Sequence, residues 1–101
     1  MREGWHIVER NYRFGHREID LIERRADVIA FVEVKGRRGP DFGHPLEAIT
    51  RLKRREIERV ARQWVARHGE AGQTYRFDAV AVMIGGDGAI RVEHAPDAWR
   101  L

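Results

Sequence analysis

Two acidic residues spaced as Glu18-x-Asp20 and, after a gap of 12 residues, the triplet Glu33-Val34-Lys35 are the grouping in this chain best suited to chemistry. Lys35 is one of only two lysines; the other 17 of the 19 basic residues are arginine. It closes an apolar, β-branched run, Val28-Ile29-Ala30-Phe31-Val32-Glu33-Val34-Lys35. Paired acids on one strand and an acid and a lysine at i and i+2 on the next can meet at one spot. Carboxylates held that close bind Mg²⁺ or Mn²⁺, and a compact ammonium beside them can hold or deprotonate a water. Such a set is equipment for hydrolysing a phosphodiester.

The elements that must position these groups are legible from periodicity. Residues 5–14 alternate roughly and carry aromatics, so they read as a strand, with Gly15-His16 as the turn. A second strand from about Arg17 to Arg24 puts Glu18, Asp20 and Ile22 on one face and Ile19 and Leu21 on the other. Ala26-Asp27 leads into a third strand, 28–35, on which Glu33 and Lys35 share a face with Phe31 and Ile29. These three strands form an antiparallel meander. The segment Arg37 to Pro45 reads as a loop.

A long helix is expected from roughly Leu46 to Arg67, ended by His68-Gly69. Leu46, Ile49, Ile57, Val60, Ala61 and Trp64 make its apolar stripe, and Arg51, Arg54, Arg55, Glu58 and Arg62 lie opposite. Lys53, the second lysine, falls inside the apolar stripe, where it must snorkel to water or reach a phosphate or an acid of the site. Residues 75–84 are a near-continuous apolar strand with Asp78 inside it, a residue that reads as structural and paired with Arg76 or a backbone donor. A Gly-rich turn at 85–88 precedes a short last strand, 89–93, and Pro96–Leu101 is read as a helical turn. Strands, helix, then a returning strand imply a helical crossover and a parallel pairing, hence a mixed sheet of the α/β class.

At 101 residues the chain is expected to be one domain, spanning 1–101. Zero cysteines exclude disulfides and thiolate zinc sites and fit a reducing cytosol. The five histidines lack metal-ligand spacing. No apolar run approaches the roughly 20 residues that cross a membrane, so a cytoplasmic location away from membranes is expected. Net charge is +3 with a pI near 9.9, favouring an acidic partner, nucleic acid above all. The basic residues concentrate on the helix, with seven between Arg51 and Arg67 against Glu56 and Glu58.

The blocks Glu18-Ile19-Asp20-Leu21-Ile22, Phe31-Val32-Glu33-Val34-Lys35-x-Arg37, Phe42-Gly43 and Arg76-Phe77-Asp78 resemble the YraN-like family of small bacterial proteins. That family is placed within the restriction-endonuclease-like, PD-(D/E)xK nuclease superfamily, close to archaeal Holliday junction resolvases. The resemblance implies a restriction-endonuclease-like fold and metal-dependent endonuclease chemistry on DNA, with branched DNA as the favoured substrate and a homodimer as the working form. It also implies roles residue by residue. Asp20 and Glu33 would hold Mg²⁺ or Mn²⁺ with the backbone carbonyl of Val34, Glu18 would be an additional acid, and Lys35 would position the attacking water. Arg37, Arg38, Lys53 and Arg54 would contact the DNA backbone. The sequence departs from the family in starting at its first strand, without the usual N-terminal helix, and in carrying Arg17 where a glycine is usual. The rival expectation is a nucleic-acid-binding module, or a subunit of a DNA-processing complex, with a nuclease fold and no turnover.

Overall fold

The computed structural model describes residues 4–38 and 49–101, apart from the side chains of Arg37 and Arg38. Five strands and one helix follow one another as β1 (His6–Phe14), β2 (Arg17–Arg25), β3 (Val28–Arg38), α1 (Arg51–His68), β4 (Thr74–Ile84) and β5 (Ile90–Arg100). The strands form a single open sheet in the order β1-β2-β3-β4-β5. β1, β2 and β3 are the expected antiparallel meander, and β4 returns parallel to β3 with Val28 opposite Thr74 and Arg38 opposite Ile84. β5 pairs antiparallel with β4 at the far edge. The protein is therefore an α/β chain with a mixed sheet, as the order of periodicities requires.

Helix α1 lies on one face of the sheet. Its buried residues Ile57, Val60, Ala61 and Trp64 pack against Ile19, Ile22, Ile29, Phe31 and Phe77. Phe31 of β3 meets Trp64 of the helix edge-on at 5.8 Å, and within the sheet Phe77 stacks on Trp99 of the neighbouring strand at 4.7 Å. The opposite face carries a smaller cluster, Trp5, Ala30 and Val32 with Leu21, Val28 and Val80 against them. Trp5 is clamped there between the Arg25 and Arg76 guanidiniums, 4.8 and 4.7 Å from its ring. Beyond Trp5 this face opens into a shallow apolar groove of about 670 Å³, walled by Ile7, Leu21, Val32, Val34, Val80 and Val92.

Four local expectations are corrected. The helix begins at Arg51, because Thr50 holds an extended backbone (φ −67°, ψ 162°) and its Oγ1 accepts the Lys53 N–H at 3.1 Å. Ile49 is thus a buried residue ahead of the helix, and Leu46 lies outside the described residues. β3 runs three residues past Lys35, so the backbone of Arg37 and Arg38 is strand paired with Met83 and Ile84 rather than loop. The tail at 96–100 is not a helical turn but the second half of β5. Asp97 takes φ 51° at a bulge, donates its N–H to Asp78, and lets Trp99 drop onto Phe77.

The fourth concerns β2. Ile19 and Ile22 both enter the helix-side core while Leu21 packs on the other face, so strict alternation fails between them. Opposite this point β1 carries Asn11 at φ 50°, and Tyr12 turns inward to hydrogen-bond Gln63 of α1. A second irregularity at Ile7/Glu9 bends β1 again. Simple period-two reading cannot see a strand that changes face partway.

Candidate active site

The β2–β3 ladder starts at the Ala26-Asp27 turn, and its register ends at Leu21 opposite Val32. Beyond that pair Asp20 replaces a backbone partner: its carboxylate accepts the Val34 N–H at 2.7 Å. The N–H and C=O of one strand residue point to the same side, so the Val34 carbonyl also faces this gap. A charged side chain closing a ladder in this way positions its second oxygen without spending it on the backbone.

Glu33 projects from β3 toward α1 on the same face as Ile29 and Phe31, and its side chain is 8% exposed. Lys53, in the first turn of the helix, places Nζ 3.6 Å from Glu33 Oε2. Burial, a hydrogen bond with Asp20 and the Asp20 charge push the Glu33 carboxyl from 4.5 up to about 8, against the smaller downward pull of Lys53. The Asp20 carboxylate and burial together disfavour a charge on Glu33, and a cation between the two carboxyls would remove that conflict. The donor set therefore fits a hard divalent cation, with water completing its shell. It does not form a full protein cage, since no group of three or more His, Cys, Asp or Glu converges among the described residues.

The other sequence candidates sit as follows. Glu18 does not join Asp20 and Glu33; it pairs with Arg13 across the β1–β2 hairpin at 3.4 Å. The face change in β2 separates it from Asp20, which simple alternation had put beside it. Lys35 is exposed and makes no ion pair among the described residues, so its ammonium is available to a ligand at the edge of the crevice. Arg54, expected on the solvent side of the helix, is half-buried with its guanidinium 5.9 Å above the Trp99 ring. The added length of β5 brings Trp99 there. Arg37 and Arg38 are placed as strand backbone flanking the crevice side of β3, and their side chains lie outside the described residues.

Asp78 is fully buried and holds a structural cluster, as expected from its apolar strand. It accepts from Arg76 at 3.2 Å and from the Asp97 N–H at 2.9 Å, and lies 2.9 Å from His94 Nε2. The part of His94 in this cluster is missing from the sequence reading, which ends the last strand at 93; β5 instead carries its regular register on, with His94 opposite Val80 and Asp78 within reach.

The profile of the uncharacterised protein family UPF0102 matches residues 1–82. A UPF0102 protein of Beutenbergia cavernae is 47% identical over 92 residues, 91% of this chain and 78% of that protein. Those of Rhodococcus jostii and Symbiobacterium thermophilum are 44% and 47% identical over 96 residues, 95% of this chain and 81% of each relative. With most of its length matched by the family profile and by relatives of this identity, the chain belongs to UPF0102, the YraN-like family.

Proposed function

We propose that this protein is a metal-dependent endonuclease with a restriction-endonuclease-like fold, hydrolysing phosphodiester bonds in DNA, branched DNA among them. The observation that carries the reading is the crevice where β2 and β3 separate. It juxtaposes Asp20 with a Glu33 pushed to about 8, adds Lys53 at 3.6 Å, and leaves Lys35 exposed at the rim. Asp20 and Glu33, with the Val34 carbonyl, are the groups that would hold Mg²⁺ or Mn²⁺. The ion would supply Lewis-acid stabilisation of the phosphoryl charge and a more acidic water.

The chain's own residues account for the remaining work. Lys35 orients the attacking water and offsets the charge that develops on the phosphoryl oxygens. Lys53 keeps Glu33 in place and supplies a second positive charge to a phosphate entering the crevice. Arg37, Arg38 and the exposed helix arginines contact the backbone without reading bases.

A second reading has an observation of its own. The Lys53 ammonium already stands beside Glu33 as a resident cation, 3.6 Å from Oε2, which suits a protein that binds nucleic acid without turnover. Cleavage assays on labelled single-stranded, duplex, flapped and four-way-junction DNA with Mg²⁺ or Mn²⁺ separate the two. The enzyme reading expects metal-dependent cutting that falls about 100-fold or more in both Glu33→Gln and Lys35→Ala. Cutting that persists in both variants would sink the site assignment. Salt-sensitive binding with no cutting on any substrate would establish the binding module.

A further inference from the structure

The two edges of the sheet are built differently. β1 is interrupted by the shift at Ile7/Glu9 and by Asn11 at φ 50°, devices that spoil an edge for pairing. The first half of β5 has neither. Residues Ile90, Arg91, Val92 and Glu93 are all exposed, Ile90 at 68% and Val92 at 61%, and no strand pairs with their outer side among the described residues.

Which backbone groups face outward follows from one hydrogen bond. Gly85 N–H donates to Ala89 O at 2.8 Å, and the antiparallel register Met83↔Arg91 and Ala81↔Glu93 continues from there. Hydrogen-bonded pairs recur at every second residue, so Arg91 and Glu93 turn their N–H and C=O toward β4. Ile90, Val92 and His94 turn theirs away from β4, to the outer side of the strand. The next outward position is Pro96, which has no N–H and ends the run.

We propose that this edge pairs with the same edge of a second copy, antiparallel about a two-fold axis through Val92. In that register Val92 faces Val92 of the second copy, Ile90 faces His94, and the outward N–H and C=O groups of the two strands meet in hydrogen-bonding register. Arg91 then stands opposite Glu93 on both sides of the axis. The neighbouring registers that also match outward groups would set Arg91 against Arg91, or Glu93 against Glu93. Charge therefore selects one register from the three, and the surface is self-complementary as a two-fold interface requires. Within one chain Arg91 and Glu93 already lean together at 3.7 Å, so pairing converts a strand-wise contact into a four-charge cluster. The assembly is one continuous ten-stranded sheet. Its two apolar grooves, each ending at Val92 and His94, join across the axis. This inference does not depend on the nuclease reading.

An edge this short predicts a dimer with a dissociation constant on the order of micromolar. Sedimentation equilibrium on the intact chain, from about 1 to about 300 µM, reads it. Arg91→Glu and Glu93→Arg, singly, are expected to weaken association at least about 10-fold, and the double reversal to return it to near the parent value. Because the chain has no cysteine, Val92→Cys gives an independent register test. Two such residues on the axis would be about 5.5 Å apart between Cα atoms and cross-link on oxidation, whereas Ile90→Cys would leave about 14 Å and not cross-link. A chain that stays monomeric throughout, a dimer indifferent to the single reversals, or equal cross-linking of both cysteine variants would each overturn the proposal.

Discussion

Glu33 carries the most testable single-residue consequence. Its carboxyl is held at about 8 in the folded protein but titrates near 4.5 when the chain unfolds. Between those values the native state holds a proton that the unfolded state has released. Stability of the metal-free protein should therefore fall as pH rises from about 4.5 to about 8 on account of this group, and level off above. Glu33→Gln should flatten that fall, as read by urea denaturation at a series of pH values. A slope unchanged in the variant would remove the physical basis for a strained acid pair. Asp78 has the opposite character. It is fully buried and satisfied by Arg76, His94 and the Asp97 N–H, so Asp78→Ala strands several donors at once. The expected loss is about 3–5 kcal/mol, measured as a shift in the denaturation midpoint without loss of an exposed ligand contact.

At the scale of elements, the helix start decides where Lys53 points. Thr50 caps α1 through the Lys53 N–H, which places Lys53 in the first turn, above Glu33. Thr50→Ala should cost about 1 kcal/mol and loosen the Lys53–Glu33 contact along with the helix end. Thermal melting checks the first effect. A normal melting curve would indicate that core packing of Ile57, Val60 and Trp64, rather than the cap, sets the helix boundary. The meander, the crossover and the apolar stripe of α1 were legible because each rests on local periodicity. The start of the helix was misplaced because Leu46 and Ile49 continue its apolar spacing, and spacing says nothing about where the backbone turns. The length of β5 was missed for the reason that Pro96 and Asp97 signal a break locally. In the sheet they form a bulge that the Asp78 carboxylate and the Phe77–Trp99 stack hold in register.

For the whole molecule, charge is distributed over the outside of α1. Arg51, Arg55, Arg59 and Arg62 are exposed and make no ion pair among the described residues, while Arg17 and Glu56 satisfy each other at 2.8 Å. If the protein grips a nucleic-acid backbone there, replacing all four with glutamine should lower the salt dependence of DNA binding by up to about 0.7–0.9 in log–log slope per lost phosphate contact. Fluorescence anisotropy across a salt series measures it. A slope that does not change would rule out these helix arginines as phosphate contacts. None of the described helices is long and apolar enough to cross a membrane.

The sequence by itself determined the order of the five strands and the helix, the parallel return of the fourth strand, and the shared face of Asp20 and Glu33. All of these follow from side-chain period and from the right-handed crossover that a strand-helix-strand unit must make. Only the tertiary structure decided which lysine touches Glu33, why Glu18 turns away to Arg13, and how Arg54 came to lie over Trp99. Those outcomes depend on a face change in β2 and a bulge in β5. Each is created where a backbone group finds a better partner in a distant carboxylate, Asp20 or Asp78, than in the neighbouring strand. No local pattern of residue types encodes that competition, because its winner is set by what the folded sheet brings within reach.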